Sequence, residues 1–133
     1  MAEQRAGTAR ATNTGPGRVL VAVYAVFAVS AGARSGVQIA TRFADAPAAY
    51  LLSALAAAIY LLATLALARS ARGLALICCT VELAGVLAVG TASVAVPEAF
   101  PDATVWSGYG IGYGFFPLVL PVLGLLWLWR TRP

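Results

Sequence analysis

The sequence predicts an all-α fold: a four-helix transmembrane bundle with antiparallel up-down connectivity and both termini on the cytoplasmic side, N-in/C-in. Three observations predict it. Hydrophobic residues make up 61% of the 133 residues and charged residues only 11%, whereas a soluble domain carries about 25% charge. The apolar residues fall into four runs, each close to the ~20 residues that a helix needs to cross the hydrocarbon core. The arginines lie mainly at the ends of these runs.

The chain divides into a predicted disordered cytoplasmic tail, residues 1–17, and a single membrane domain, residues 18–133. The tail is polar, is rich in Ala, Gly and Thr, and contains Arg5 and Arg10. A signal peptide is the competing interpretation, because arginines precede an apolar run. The run Val19–Ala40 is longer than the 7–15 residues of a typical signal-peptide core, and three more apolar runs follow it.

The four runs predict four membrane helices, at about 19–40, 48–68, 74–96 and 111–129. Pro47 precedes the second run and suits the first turn of a helix, where no backbone donor is needed. Pro117 and Pro121 are expected to kink the fourth helix, with neighbouring groups satisfying the freed carbonyls. The links between the runs are short, so consecutive helices are expected to be antiparallel neighbours.

The distribution of arginine predicts the orientation of the chain in the membrane. All nine basic residues are Arg, and cytoplasmic loops are the ones enriched in Arg and Lys. Seven fall on one side of the predicted helices: Arg5, Arg10, Arg18, Arg69, Arg72, Arg130 and Arg132. Arg34 and Arg42 fall toward the other side, beside three acidic residues. Trp127 and Trp129 at the inner end of the fourth helix, and Trp106 and Tyr109 at its outer end, fit the aromatic belts of a membrane protein.

Two segments carry a resemblance to a known group of proteins. The region Val105–Arg130 and the segment Ala33–Gln38 resemble uncharacterised small four-helix integral membrane proteins of actinobacteria, and the resemblance covers most of the chain after Arg18. It implies a multi-pass protein of the bacterial inner (cytoplasmic) membrane. No established activity comes with it. The expected partners are the lipid bilayer and either further copies of the chain or a larger membrane protein. Nucleic acid is not expected, because the arginines are not clustered on one face.

Glu82 is the most informative single residue. It lies eight residues into the third run, roughly 12 Å from the cytoplasmic boundary at 1.5 Å per residue, which is close to the bilayer midplane. An ionisable residue at that depth raises a functional hypothesis. Its helix face carries mostly small residues, which favour close packing: Cys78, Cys79, Gly85, Val86 and Ser93. Two interpretations stay open: a structural carboxyl, or a binding group for a proton, a cation or a substrate.

A polar face on the second helix lies at the same depth as Glu82. Its members follow helical spacing: Ser53, Ala57, Tyr60 and Thr64. We expect Glu82 to face the bundle interior, with Tyr60 as its nearest polar partner and Arg34 as a possible second partner. The alternative is ordinary hydrogen bonding between helices. The predicted intramembrane polar cluster consists of Glu82, Tyr60, Arg34, Gln38, Thr64 and Ser53.

The first helix has two faces that cannot both look into one core. Arg34 and Gln38 share one face, while Gly32 and Gly36 form a GxxxG pair about 160° away at 100° per residue. GxxxG pairs allow two membrane helices to approach closely. Arg34 either extends toward the outer head groups or turns inward. We therefore expect one of the two faces to meet another subunit or a partner protein.

The fourth run opens with two Gly-Tyr-Gly units between Ser107 and Gly114. Potassium-channel filters contain a similar sequence, but there it follows a short pore helix, and here it follows a Pro-containing acidic segment. Close helix packing is the favoured interpretation, with Gly108 and Gly112 as candidate packing residues beside Gly32 and Gly36.

The sequence offers little for catalysis. It contains no His, which removes Ser-His and Cys-His pairs, and it contains no Gly-rich phosphate loop. Cys78 and Cys79 are too few to hold zinc or an iron–sulfur cluster. We therefore predict no catalytic, cofactor-binding or metal-binding residues, and no enzyme activity.

Two functional classes remain open. The favoured class is an accessory or scaffold subunit that packs against another membrane protein. The alternative is a small oligomeric transporter or channel that uses the intramembrane Glu82. Small multidrug transporters are similar in size, but they place their membrane-embedded Glu in the first helix.

Overall fold

The structure, a computed structural model, describes residues 11–132. Within that range the chain is helical and contains no β-strand. Four α-helices form the framework: α1 (Pro16–Arg42), α2 (Pro47–Ala68), α3 (Arg72–Ala95) and α4 (Phe116–Arg130). Four single-turn 3-10 helices lie in the links, at Phe43–Asp45, Pro97–Ala99, Ser107–Tyr109 and Ile111–Tyr113.

Three of these helices are long and apolar enough to cross a membrane. The most apolar 18-residue windows of the first, second and third helices have mean hydropathies of 1.6, 2.3 and 2.1. The pair Ser107–Tyr113 and Phe116–Arg130 passes the same test only if the two pieces, bent by 97°, count as one span. The chain therefore has the character of a small membrane protein with three candidate spans, or up to four.

The four helices pack in a closed ring. Helix α1 contacts α2, α2 contacts α3, α3 contacts α4, and α4 returns to α1. Large side chains fill the centre of the ring, and several are fully buried: Tyr24, Tyr60, Leu67, Glu82 and Val86. Many leucines and valines on the outer surface are exposed, which suits a lipid environment, since lipid tails are as apolar as these side chains.

One end of the ring gathers the start of the described chain, the α2–α3 turn and the end of α4. The Thr12 N–H donates to Ser70 Oγ at 3.0 Å, and Trp127 Nε1 donates to the Thr12 carbonyl at 3.0 Å. The Arg72 guanidinium donates to Thr131 Oγ1 at 2.9 Å. We call this the termini end.

The opposite end, here called the loop end, gathers the α1–α2 and α3–α4 links. Arg42 Nη2 lies 3.8 Å from Asp102 Oδ2, and the Tyr50 hydroxyl donates to the same oxygen at 2.9 Å. The Val105 N–H donates to Ser53 Oγ at 3.2 Å. Successive helices therefore run in opposite directions, as their short links require.

The fourth helix differs from its predicted range. It begins at Phe116 rather than near residue 111, and its 15 residues extend only about 22 Å at 1.5 Å per residue. The residues before it form turns, and one position in these turns accommodates only glycine. Gly110 has φ +86°, and a Cβ there would lie 2.7 Å from Pro117. The predicted helix start is thus a folded loop.

That loop turns back into the bundle, which corrects the expected place of one aromatic side chain. Trp106 is only 3% exposed, so it does not belong to an outer aromatic belt. Its ring lies against α3 at Gly85, and its Nε1 donates to the Tyr60 hydroxyl of α2 at 2.9 Å.

The start of α1 also extends beyond its predicted boundary. The helix begins at Pro16, three residues before Val19. Residues 1–10 of the predicted disordered tail, including both of its arginines, Arg5 and Arg10, lie outside the described residues. Thr12, within the same predicted tail, is buried and donates through Oγ1 to the Leu67 carbonyl.

Candidate functional site

Glu82 lies near the middle of α3 and faces the interior of the ring. Its side chain is 0% exposed. Neither carboxyl oxygen has a hydrogen-bond partner within the described part of the chain. A buried polar group without a partner is uncommon in folded proteins, and this one is the centre of the candidate site.

Tyrosines and cysteines surround the carboxyl. Tyr24 of α1, Tyr60 of α2 and the neighbouring thiols of Cys78 and Cys79 are near enough to interact with it electrostatically. The Tyr24 hydroxyl lies 3.6 Å from Cys79 Sγ, and the Tyr24 and Tyr60 rings are 6.2 Å apart. The site is therefore a compact chamber of rings and thiols around one carboxyl.

The structure brings together the two residues that sequence analysis paired, but without a hydrogen bond between them. Tyr60 lies near Glu82, but its hydroxyl accepts the hydrogen bond of Trp106 and makes none with the carboxyl. Tyr24, which sequence analysis did not single out, also lies near Glu82, from α1. Its position in the first apolar run showed that it could be interior, but no pattern in the sequence specified its rotation toward α3.

Arg34 does not turn toward Glu82. Its guanidinium carbon lies 5.9 Å from the centre of the Tyr113 ring, and the residue lines a cavity at the loop end. Gln38, one turn further along α1, is 3% exposed, and its Oε1 has no partner within residues 11–132. The face that Arg34 and Gln38 share therefore runs along the inner edge of α1 toward the loop end.

Ser53 and Thr64 of the predicted cluster form hydrogen bonds with backbone groups. Ser53 accepts from Val105 at the loop end. Thr64 donates to the Tyr60 carbonyl within its own helix, at 2.7 Å. Of the six predicted members, only Tyr60 lies beside Glu82, and the other four are placed elsewhere.

The four glycines predicted to pack helices together do not do so within this chain. A Cβ on Gly32 would lie 3.9 Å from Ala57 of α2, which is ordinary contact. Cβ atoms on Gly36 or Gly112 would meet nothing within 4 Å. Gly108 has φ +58°, and its nearest side chain is Ile111 in the same loop.

Other glycines make the close approaches. A Cβ on Gly85 would lie 2.6 Å from the Trp106 ring, and one on Gly124 would lie 2.7 Å from Cys79 Sγ. Sequence analysis places Gly85 on the small face around Glu82. It does not identify Trp106 as the residue that fills this space, because it assigns Trp106 to the membrane surface.

A cavity of about 430 Å³ opens at the loop end. Arg34, Ser93, Asp102, Thr104 and Ser107 contribute polar groups, and Val94, Pro97, Phe100, Pro101 and Ile111 contribute apolar ones. The Tyr50 hydroxyl, the Ala103 N–H and nearby Arg42 hold the pKa of the Asp102 carboxyl below its usual range. Asp102 therefore remains charged at neutral pH.

Two apolar grooves lie at the termini end. One, of about 710 Å³, runs between α1 and α4 and is lined by Pro16, Val19, Leu20, Leu123, Leu126, Trp127 and Arg130. The other, of about 420 Å³, runs between α3 and α4 beside Arg72 and Trp129. Neither groove nor the loop-end cavity includes Glu82 in its lining.

Within residues 11–132, no three His, Cys, Asp or Glu side chains come together as a metal site. Cys78 and Cys79 are buried free thiols. Comparison with protein-family models, with curated proteins and with solved structures found no match to this chain.

Proposed function

We propose that this chain is a non-enzymatic accessory subunit of the bacterial inner membrane that packs against another membrane protein through the outer face of α1. In this proposal the chain crosses the bilayer four times, with both termini in the cytoplasm. The arginine distribution and the resemblance of residues 105–130 and 33–38 to actinobacterial membrane proteins support that location.

The observation that carries the proposal is the outer face of α1. Between Ala22 and Ala40, six exposed positions at helical spacing carry no side chain larger than valine: Ala22, Val26, Val29, Ala33, Gly36 and Ala40. The outer face of α2 has the same spacing and is mostly leucine: Leu51, Leu55, Ala58, Leu62 and Leu65. Small residues let the backbones of two membrane helices approach closely, whereas leucines suit contact with lipid. This contrast supports α1, rather than α2, as the helix that contacts a protein neighbour.

The test is a purification in mild detergent with matched variants. Wild-type protein should elute as a stoichiometric complex larger than its own 13.7 kDa, with its mass measured by light scattering. Gly36→Leu should release the chain as an inserted monomer, because the new side chain holds a neighbouring backbone away. Gly36 suits this substitution better than Gly32, because a Cβ on Gly36 would meet nothing within 4 Å, whereas Gly32 already faces Ala57 within the chain.

Ala58→Leu is the matched control, because it adds similar bulk to an exposed position on the leucine face of α2. It should leave the complex intact. An unchanged complex in Gly36→Leu, or equal loss in Ala58→Leu, would remove the α1 face from the proposal.

Glu82 supports a second candidate, a small oligomeric transporter or channel. Its carboxyl is buried without a hydrogen bond, and intramembrane ionisable residues mark ion and proton pathways. A homodimer whose flux in liposomes depends on pH would favour this function over the accessory role. Glu82→Gln should then abolish the flux, because it keeps the size of the side chain but cannot titrate. Flux that survives Glu82→Gln would make the residue structural.

A further inference from the structure

Arg34 is the one half-buried arginine of α1, and it lines the same cavity as Asp102, whose carboxylate attracts it through space but pairs directly with Arg42 and Tyr50. It makes no hydrogen bond and no ion pair within residues 11–132, where its contact is the Tyr113 ring at 5.9 Å. Arg42 has Asp102 at 3.8 Å, and Arg132 donates to the Trp129 carbonyl at 3.1 Å. A partly buried charge without a counter-charge in direct contact is costly. An anion from outside the chain would supply the missing partner.

The space beside Arg34 can hold such a group. The loop-end cavity of about 430 Å³ falls within the range of roughly 300–1,000 Å³ that small-molecule sites occupy. Hydroxyl groups of Ser93, Thr104 and Ser107 line the same cavity as the guanidinium. Ser93 Oγ already donates to the Gly90 carbonyl, and the Thr104 and Ser107 hydroxyls bond to each other, so one hydroxyl proton of that pair is left for an anion placed at Arg34.

The depth of Arg34 fits the boundary between hydrocarbon and head groups. Helix α1 has 27 residues and is about 40 Å long, roughly 10 Å longer than the hydrocarbon core. Arg34 lies eight residues before the helix end at Arg42, so its Cα is roughly 12 Å below that end. A long arginine side chain extends from this depth toward the phosphate layer.

We infer that the loop-end cavity binds the phosphodiester of a phospholipid head group, with Arg34 as its principal cationic contact. The cavity's apolar rim favours a lipid over free phosphate. Val94 and Ile111 are 66% and 63% exposed, so acyl chains can continue from the cavity along an apolar surface. Asp102, also in the lining, would repel a doubly charged phosphate more than a singly charged diester.

The test is a lipid titration of the purified full chain in detergent, with bound lipid counted by native mass spectrometry. Phosphatidylethanolamine and phosphatidylglycerol should bind, and diacylglycerol, which has the same chains without phosphate, should bind much more weakly. Arg34→Gln should weaken phospholipid binding about tenfold, as expected for the loss of a charge-assisted hydrogen bond. Arg69→Gln, the same charge change at the termini end, should leave it unchanged.

A second variant leaves Arg34 in place and fills the cavity. Gly112 lines the cavity and has open space around it, so Gly112→Leu should fold and also weaken phospholipid binding. Equal affinity in wild type and both variants, or equal binding of diacylglycerol, would overturn the inference. Displacement of the lipid by inorganic phosphate at similar concentration would identify a free-phosphate site and overturn the lipid assignment.

Discussion

Glu82 is buried in the middle of α3, beside two tyrosines and two thiols, and neither of its carboxyl oxygens has a hydrogen-bond partner within the described residues. Burial of an unpartnered polar group lowers stability. An unpartnered carboxyl and a carboxyl with a stabilising partner give opposite results when the group is replaced by an apolar side chain of similar size. Removing the first raises stability, and removing the second lowers it.

We expect Glu82→Met to raise the free energy of unfolding by about 1–3 kcal/mol, because the unbranched methionine removes an unpartnered polar group while filling similar space. Unfolding by titration with a denaturing detergent measures the change. Glu98→Met is the control: Glu98 is exposed in the α3–α4 link, and its replacement should change stability by less than about 0.5 kcal/mol. Lower stability in Glu82→Met would show that the carboxyl has a stabilising partner, such as a buried water.

At the scale of elements, the contact between α3 and the folded loop before α4 holds that loop inside the bundle. Trp106 occupies the space above Gly85 and donates to Tyr60, which connects the loop to two helices. Gly90 makes a similar contact, since a Cβ there would lie 2.4 Å from Tyr109. Glycine on α3 therefore creates the groove that receives the loop.

We expect Gly85→Ala to destabilise the protein by about 1–3 kcal/mol, the usual result of overfilling a packed interior, because the new Cβ would lie 2.6 Å from the Trp106 ring. Gly36→Ala has open space and should instead stabilise α1 by roughly 0.5–1 kcal/mol, the helix preference of alanine over glycine. Thermal unfolding in detergent compares the two. The loss from Gly85→Ala should shrink when Trp106→Leu removes the ring; equal losses in both backgrounds would place the strain elsewhere.

For the whole molecule, the ends of the first three helices lie within three residues of the ends that hydropathy predicted, and the largest difference is at the start of α1. Backbone N–H and C=O groups in lipid must be hydrogen-bonded within a helix, so a long apolar run is expected to be helical along its length. The first part of the fourth run is not helical, because its glycines adopt turns that depend on tertiary contacts, such as the insertion of Trp106. Tyr60 does lie near Glu82, but its hydroxyl bonds to Trp106. Equal depth on neighbouring helices does not determine which partner each side chain bonds.

The orientation of the whole molecule is the last prediction, and the two ends of the ring make it specific. Five of the described arginines lie at the termini end: Arg18, Arg69, Arg72, Arg130 and Arg132. The loop end has Arg34 and Arg42 together with the three acidic residues Asp45, Glu98 and Asp102. Because arginine-rich ends stay in the cytoplasm, reporters that need export should be active when fused after Ala44 or Ala99, and inactive after Ser70 or Arg132.

The same four fusions distinguish three spans from four. The short α4 runs from the loop end to the termini end, where Trp127 bonds to Thr12, so its C-terminus should share the side of Ser70. Activity after Arg132 with none after Ser70 would show that α4 and its bent loop fail to cross the bilayer. Activity after Ser70, with none after Ala44, would reverse the orientation, because the arginine-rich end would then be the exported one.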